Sequence, residues 1–303
     1  MRTAIISDIH GNLEAFEAVL KAIDARKVDQ IICLGDILGY GPNPLECVDL
    51  VAARCVWSLM GNHDYAVLYE PTNFNNVAKQ AAYWTRECLD EAAEQDVESG
   101  NRRLDFLNRI KPRVRFEDLY TCVHGSVRKP INEYVFDTDV VDDPRKMREI
   151  FDRIENRCLV GHTHVPGIFQ WTEEDGADFT ASAHLPNPES DDESDEVHLD
   201  PNADTAMGLP SLDENTDPTA DGDPLLVGVH EFDEREKCIV NPGSVGQPRD
   251  GDERASFAIL DTNQSPHVVE FYRLRYDVDA VIAKINAIPE LDNWLGDRLA
   301  VGR

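Results

Sequence analysis

Five separated apolar runs of this chain each end in side chains of the kind that bind metal ions. The runs AIIS, IICL, VWSLM, LYTCV and CLV lead, in that order, to Asp8 and His10; to Asp36; to Asn62, His63 and Asp64; to His124; and to His162 and His164. Short apolar runs are typical of buried strands, and sites in open α/β sheets form outside the carboxyl ends of strands. The pattern therefore predicts a layered α/β protein with one site assembled at its strand ends.

The ligand types at these strand ends indicate which ions they would bind. Carboxylate, imidazole and amide oxygen without thiolate suit divalent Mn, Fe, Ni, Zn or Mg. The set is larger than the ligand set of a single tetrahedral zinc, whereas two ions bridged by one carboxylate would use all of it. Asp-x-His and His-x-His spacings are expected to exploit strand alternation, which places residues i and i+2 on one side. Glycines at 35, 61, 125 and 161 adjoin ligands, where the absence of a side chain allows a sharp turn and close approach of the metal.

Strands and helices are predicted to alternate along most of the chain, which favours a layered α/β fold. Strands are predicted at 3–7, 30–34, 56–60, 113–116, 119–123, 158–160, 165–171, 225–231, 237–240, 255–260 and 268–274. Helices are predicted at 13–23, 45–54, 74–94, 102–110, 143–156 and 278–287. We expect a single domain over 1–303, interrupted by an insert.

The insert, residues 173–223, is strongly acidic. It holds 17 of the chain's 58 acidic residues and no Lys or Arg, which leaves 41 acidic against 29 basic residues elsewhere. A segment with this much charge and so few aromatics cannot bury enough apolar surface to offset its ordering entropy. We therefore predict a disordered acidic surface loop. A role in binding cations or a basic partner is the alternative.

Charge and cysteine usage exclude several partner classes. A net charge of −29 argues against duplex nucleic acid or an anionic membrane as a main partner, since both require a basic surface. The seven cysteines show no CxxC pair, so neither a disulfide framework nor a thiolate zinc site is predicted. No apolar stretch is long enough to span a membrane, and a cytoplasmic location is the simplest expectation. Whether the chain is a homo-oligomer is left open.

In sequence order, the motifs DxHGN, GDxxGYGPNP, GNHD, VHGS and GHTH resemble those of the calcineurin-like metallophosphoesterases. The small bacterial phosphodiesterase-like branch is the most similar, because its members also carry a segment like NPGSVGQPR, here 241–249. The resemblance covers nearly the whole chain outside the insert. It implies a four-layer α/β/β/α sandwich with two mixed sheets face to face, helices outside, and two metal ions at one edge.

The resemblance also implies roles for individual residues. Asp8, His10 and His164 would hold the first ion, Asp36 would bridge both, and Asn62, His124 and His162 would complete the second. Manganese is the first choice of metal, and the attacking group would be a hydroxide shared by the ions. His63 matches the family's catalytic histidine, which protonates the leaving oxygen or stabilises transition-state charge. Asp64 is expected to orient His63.

One departure from the protein-phosphatase members concerns the phosphate contact. Those members follow the bridging aspartate with Asp-Arg-Gly, whereas this chain has Leu38-Gly39-Tyr40-Gly41. A phosphoprotein substrate is therefore disfavoured. The replacement candidates are Arg249, helped by Asn12 and by the backbone amides of 243–246; a surface ion pair with Asp250 or Asp252 is the alternative for Arg249. Tyr40 is expected to line the pocket, the alternative being that 39–44 is only a tight turn.

Three functions follow as expectations. The first is metal-dependent hydrolysis of a phosphomonoester or phosphodiester of a small molecule. The second is hydrolysis of nucleotides, either dinucleoside polyphosphates or cyclic nucleotides. The third is a non-catalytic metal-bound module that binds partners through the acidic insert, which the complete ligand set and the intact His63 disfavour.

Overall fold

The computed structural model describes residues 1–171, 183–184, 223–233 and 237–303. Most of the predicted acidic insert therefore lies outside the described residues, and its expected disorder stays a prediction. Among the described residues, no helix combines the length and the apolarity needed to cross a bilayer.

The described strands form two six-stranded sheets. The first has the strand order β3-β2-β1-β11-β12-β9 and the second the order β4-β5-β6-β10-β7-β8. The strands are β1 Arg2–Ile6, β2 Gln30–Cys33, β3 Trp57–Ser58, β4 Arg113–Phe116, β5 Tyr120–Val123, β6 Arg157–Leu159, β7 Gly167–Trp171, β8 Ala183–His184, β9 Leu225–Glu231, β10 Lys237–Asn241, β11 Ala255–Asp261 and β12 Val268–Leu274. In each sheet three successive neighbours run parallel, β1-β2-β3 in one and β5-β6-β10 in the other, and the remaining described pairings are antiparallel.

Nine α-helices accompany the sheets among the described residues, and several of them begin at polar caps. Their bounds are α1 Leu13–Ala25, α2 Pro44–Arg54, α3 Asn62–Leu68, α4 Asn76–Gln95, α5 Val97–Leu107, α6 Asp139–Asp142, α7 Pro144–Phe151, α8 Val278–Asn286 and α9 Trp294–Asp297, followed by a 3-10 helix at Leu299–Val301. Asn12 caps α1 by accepting the Ala15 N–H at 3.1 Å, and Asn75, Asp96 and Asp143 cap α4, α5 and α7 in the same way.

Three apolar layers define the sandwich. Ile5 and Phe271 of the first sheet pack against Tyr120 and Leu159 of the second, which buries the inner faces of both sheets. The outer face of the first sheet packs on α1 and α2, whose buried residues include Phe16, Val19 and Val48. The outer face of the second sheet packs on α7 through Met147, Ile150 and Phe151. The predicted α/β/β/α sandwich is therefore confirmed.

Most predicted elements are present, but several of their boundaries differ from the prediction. The predicted helix 102–110 begins five residues earlier, at Val97, because the Asp96 carboxylate accepts the Glu98 and Ser99 N–H groups. The predicted strand 56–60 shortens to Trp57–Ser58, and the helix predicted to end at 156 ends at Phe151. Helix α3 is absent from the sequence-based prediction, since NHDYAVL carries too few turns for a periodic signal.

Candidate metal centre

The predicted ligands converge at the carboxyl ends of the parallel strands of both sheets. Potential ligand atoms of Asp8, His10, Asp36 and His164 lie within 4.8 Å of one another, and so do those of Asp36, His124 and His162. Asp36 belongs to both groups. All of these side chains are buried, although the sequence separates Asp8 from His164 by 156 residues. Four of the five segments therefore build one cluster with a shared carboxylate at its centre.

Backbone geometry at the ligands differs from the predicted strand alternation. Asp8, His10, Asp36, His162 and His164 all have positive φ, between 51° and 70°. Non-glycine residues rarely occupy this left-handed region, and such strain clusters at functional sites. The ligands thus follow the strands in tight turns, and the i, i+2 spacing is used in left-handed backbone rather than in extended strand.

Glycines bring the turns together. A Cβ on Gly61 would lie 1.9 Å from Asp36 Oδ1, and a Cβ on Gly161 would lie 2.2 Å from Ser7 Oγ and 2.9 Å from Asp8 Oδ2. Any side chain at either position would displace a carboxylate of the cluster. Glycine is required at both positions by this close approach, as the sequence indicates.

Hydrogen bonds fix the tautomers of three histidines. The Nδ1 atoms of His10, His124 and His164 contact the backbone carbonyls of Leu38, Leu34 and Gln247. A neutral ring that donates from Nδ1 presents a lone pair at Nε2, the arrangement typical of histidine bound to metal. The Nε2 atoms of His10 and His164 lie 3.2 Å apart, and His124 Nε2 lies 3.2 Å from Asp36 Oδ2. The His10 and His164 rings are neutral because burial lowers both pKa values, and their facing Nε2 lone pairs repel at this distance unless a cation lies between them.

Charge in the cluster also calls for a cation. Asp36 Oδ2 and His162 Nε2 are buried without a hydrogen-bond partner among the described residues. Burial opposes protonation of His124, but the Asp36 and Asp8 carboxylates outweigh it and raise its pKa to about 9. Burial favours neutral Asp8 and Asp36, yet the neighbouring histidines hold both pKa values well below the usual range. The cluster therefore fits divalent cations, which supply the positive charge that these anionic and lone-pair atoms lack.

Asn62 and His63 begin helix α3 at the edge of the cluster. The Asn62 Oδ1 atom lies 3.3 Å from His124 Nε2, so it faces the same space as the second group of ligands. The His63 backbone donates to Asp36 Oδ1 at 2.8 Å. The His63 ring lies 4.7 Å from that of His10, its Nδ1 has no partner among the described residues, and burial lowers its pKa to about 4.

Asp64 does not contact the His63 ring as expected from the sequence. Its carboxylate accepts four backbone N–H groups at 2.9–3.1 Å, from Asp36, Ile37, Leu38 and Gly61. A carboxylate can reach all four because the turn after β2 wraps around the start of α3. Asp64 therefore positions the Asp36 turn rather than orienting His63.

Asn12 is engaged in the fold rather than free for a substrate. Its Oδ1 caps α1, and its Nδ2 donates to the Gly246 carbonyl at 2.9 Å and to Tyr276 Oη at 3.3 Å. The Val245 and Gly246 amides donate to the Ser7 and Asp8 carbonyls at 3.0 Å. The segment 243–246 therefore anchors the Asp8 turn, and these groups are not available as the predicted phosphate helpers.

Arg249 and Tyr40 flank the cluster. Within the described part of the chain Arg249 donates to Gln247 Oε1 and leaves its Nε without a partner, while Asp250 and Asp252 pair with Arg273 and Arg254 instead. The alternative of an Arg249 surface ion pair is therefore not observed. Tyr40 places its ring 4.8 Å from the His10 ring and 4.2 Å from the His63 ring.

Arg298 is a further cation beside Tyr40 that the sequence did not indicate. Its Cζ lies 5.9 Å from the Tyr40 ring centroid and 4.5 Å from that of Trp294. Burial, and then repulsion from Arg249, lower the pKa of Arg298 to about 10. The residue lies near the carboxyl end of the chain outside any motif, so only the fold brings it to the site.

A cavity of about 300 Å³ opens beside His63. Its walls include the aromatic rings of Tyr40, Phe74 and Tyr134, and Tyr134 stacks on His162 with ring centroids 3.8 Å apart. Its polar wall includes one carboxylate, that of Glu70, and four amides, those of Asn62, Asn73, Asn75 and Asn132. None of the described residues that line it is Lys or Arg. Nothing in the sequence marks Phe74 and Tyr134 as cavity residues, because isolated aromatic residues are as common in hydrophobic cores as in binding sites.

The chain matches known proteins over its length. Residues 1–206 match the model of the calcineurin-like phosphoesterase family. An uncharacterized protein of Methanocaldococcus jannaschii is 34% identical over 99% of this chain and 98% of its own length. The crystal structure of a metallophosphoesterase from Sphaerobacter thermophilus is similar, with 35% identity, a TM-score of 0.70, and coverage of 100% of this chain and 99% of that one. A hypothetical protein from Pyrococcus horikoshii shares the fold at 16% identity, with a TM-score of 0.63 and coverage of 100% and 98%.

Two of these matches decide the family. The family model covers more than half of the chain, and the M. jannaschii relative exceeds 30% identity over nearly all of it. The motifs that carry the resemblance are the same turns that hold the buried cluster of carboxylates and imidazoles. The chain therefore belongs to the calcineurin-like phosphoesterase family and is a metal-dependent phosphoric ester hydrolase.

Proposed function

We propose that the protein hydrolyses phosphoester bonds of a small molecule at a dinuclear metal centre. The observation that carries this proposal is the pair of overlapping ligand groups that share Asp36. Asp8, His10 and His164 would hold one ion and Asn62, His124 and His162 the other, with Asp36 between them. Imidazole, carboxylate and amide ligands accept manganese first, and Fe, Ni, Zn or Mg as well.

When bound, the two divalent ions supply an activated water and stabilise charge on the phosphoryl oxygens. The chain's own residues do the rest. The left-handed turns hold the ligands rigidly, and the four hydrogen bonds to Asp64 fix the Asp36 turn. His63, at the boundary between cluster and cavity, donates its ring N–H to a phosphoryl or leaving oxygen.

Arg249 is the proposed phosphate contact and does not line the cavity. Its Nε is buried without a partner in the described part of the chain, and it acts electrostatically on His10, His63 and His164. A guanidinium binds phosphate in two-pronged geometry, which suits this position beside the cluster. Arg298 adds positive charge on the same flank.

The aromatic cavity supports a nucleotide as a second candidate substrate. Base–aromatic stacking is sequence-tolerant, and uncharged amides can hydrogen-bond the edges of a base. A cavity without Lys or Arg among its described walls would take the uncharged leaving group while Arg249 binds phosphate. A bis(5'-nucleosyl)-tetraphosphatase of Erwinia tasmaniensis is 35% identical over 71 residues, which is 22% of this chain. That short match agrees with a nucleotide without identifying one.

The experiment is turnover of two chromogenic esters. The purified protein loaded with Mn²⁺ is assayed with bis-p-nitrophenyl phosphate and p-nitrophenyl phosphate, beside an Asp36→Asn control. We expect hydrolysis of at least one ester and its loss in the control. Equal rates for wild type and control with every metal would contradict the proposal and favour the non-catalytic module.

A nucleotide panel read by phosphate release tests the second candidate. We expect Tyr134→Ala to raise KM for the preferred nucleotide by about tenfold while turnover of p-nitrophenyl phosphate changes little, because one base stack is lost. The matched control is Tyr83→Ala, a surface tyrosine on α4 that does not line the cavity. Equal effects of Tyr134→Ala on every substrate would instead show that Tyr134 only supports His162.

A further inference from the structure

A buried arginine adjoins a second cavity at the end of the sheets opposite the metal centre. Arg157 begins β6 and is only 8% exposed. Because β5 and β6 run parallel and lead into His124 and His162 after their carboxyl ends, their first residues lie at the opposite edge of the sheet. The cavity has a volume of about 270 Å³, and its walls include Arg157, Asn156, His267, Phe232, Pro266 and Leu119.

Aromatic rings and long hydrogen bonds surround the Arg157 guanidinium. Its Cζ lies 4.5 Å from the Phe232 ring centroid and 5.7 Å from that of Tyr120. Its Nη1 atom lies 3.5 Å from both Tyr120 Oη and His267 Nδ1, and its Nη2 donates to the Asp233 carbonyl at 3.4 Å. These distances are at the outer limit for hydrogen bonds. The Nε atom is buried and has no partner in the described part of the chain.

The absence of a counter-charge sets Arg157 apart from the other buried arginines. Arg254 and Arg273 are buried to a similar degree, and they pair with Asp252 and Asp250. No carboxylate of the described residues forms an ion pair with Arg157. Burying a cation without a partner is strongly unfavourable, so this position calls for an anion.

We propose that this cavity binds a small organic carboxylate, with Arg157 gripping the carboxylate group. A planar guanidinium matches a carboxylate with two parallel hydrogen bonds. Phe232, Pro266 and Leu119 provide apolar walls for the body of the ligand. One guanidinium balances one negative charge, which favours a monoanion over a phosphate dianion. Burial, and then Arg157, lower the pKa of His267, which disfavours a second positive charge beside the ligand.

The test is calorimetric titration of the metal-loaded full chain with benzoate, and with benzamide as its neutral isostere. We expect benzoate to bind and benzamide to bind more weakly by about tenfold or more, since a charge-assisted pair is lost. Arg157→Gln should weaken benzoate binding by a similar factor. Arg249→Gln is the matched control at the metal end, by which we mean the edge of the sandwich that carries Asp8, Asp36 and His124. This variant should bind benzoate with the affinity of the wild type.

Three results would overturn the proposal. Equal benzoate affinity in wild type and Arg157→Gln places the binding elsewhere. Inorganic phosphate that binds through Arg157 more tightly than benzoate rules out the monocarboxylate. Glu234 and Glu236 follow Asp233 in the sequence, and benzoate binding that appears only in a Glu234→Gln/Glu236→Gln double variant would show that the chain's own carboxylates already neutralise Arg157. If Arg157→Gln does not fold, Arg157→Lys keeps the charge but not the two-pronged geometry and should still weaken benzoate binding.

Discussion

The two ends of the β-sandwich bury unpaired charge of opposite sign. At the carboxyl ends of the parallel strands, carboxylates and imidazole lone pairs crowd together and call for cations. At the amino ends of β5 and β6, a buried guanidinium without an ion-pair partner among the described residues calls for an anion. The same strands connect both ends. The two cavities have similar volumes, so the sign of the unpaired buried charge, rather than cavity size, distinguishes the two candidate sites.

Two histidines, the buried His63 and the half-buried His230, give the largest expected contrast between the ends. Burial lowers the pKa of both His63 and His230 to about 4. We expect His63→Asn to lower kcat by roughly 10²–10³-fold, because it removes the hydrogen bond to the reacting oxygens. His230→Asn should leave kcat unchanged. Steady-state kinetics, with metal content measured in both variants, checks this; equal losses in the two variants would remove the catalytic distinction.

Removal of the Asp64 carboxylate tests whether the metal end depends on its supporting turn. Asp64→Ala leaves four buried N–H groups of that turn without an acceptor, which should lower the free energy of unfolding by about 3 kcal/mol. We also expect weaker metal binding, since the Asp36 turn loosens. The control is Asp96→Ala, an exposed helix cap that should cost about 1 kcal/mol without changing metal affinity. Denaturant unfolding and metal titration of both variants provide the comparison.

Substituting one arginine at each end of the sandwich tests which end affects substrate binding. Arg249→Gln should raise KM for p-nitrophenyl phosphate by about tenfold through loss of a charged phosphate contact. Arg157→Gln should leave both KM and kcat unchanged, because it lies at the far ends of the strands. An effect of Arg157→Gln on KM as large as that of Arg249→Gln would mean that the two ends are not independent.

His230 contributes a pH dependence of stability at the end of the sandwich away from the metal centre. Its pKa is 6.5 in the unfolded chain and about 4 in the folded protein, because burial disfavours the charged ring. Between these two pH values the folded state therefore binds fewer protons than the unfolded state. The free energy of unfolding is highest, as far as His230 is concerned, above pH 6.5, and it falls as the pH falls from 6.5 towards 4. We expect His230→Gln to reduce that acid-induced loss of unfolding free energy by about 2 kcal/mol. Identical pH profiles for wild type and variant would contradict it.

The contrast between the ends also explains what could be predicted from the sequence. Ligands at the metal end follow apolar runs in fixed motifs, so Asp8, Asp36 and His124 were identifiable and the layered fold followed from the alternation. Arg157 lies inside an ordinary strand, and its isolation depends on which side chains the fold places around it. The same holds for Tyr134 and Arg298, which reach the metal end only through tertiary packing.

Errors in the predicted roles have a common physical origin. Asp64 and Asn12 were expected to face His63 and the substrate because polar residues in motifs suggest chemistry. Both instead satisfy backbone groups of the tight turns that carry the ligands. Left-handed turns leave buried N–H and carbonyl groups that strands would have paired, and these groups must find side-chain partners. A sequence shows which residues are polar but not which backbone groups remain to be satisfied.

Metal stoichiometry tests the central claim most directly. Purified wild-type protein and Asp36→Asn are loaded with Mn²⁺, freed of excess metal, and measured by inductively coupled plasma mass spectrometry against protein concentration. Two overlapping ligand groups that share Asp36 predict two ions per wild-type chain and at most one in Asp36→Asn. A folded wild-type protein that retains one ion or none, or an Asp36→Asn variant that retains two, would contradict the shared-carboxylate centre.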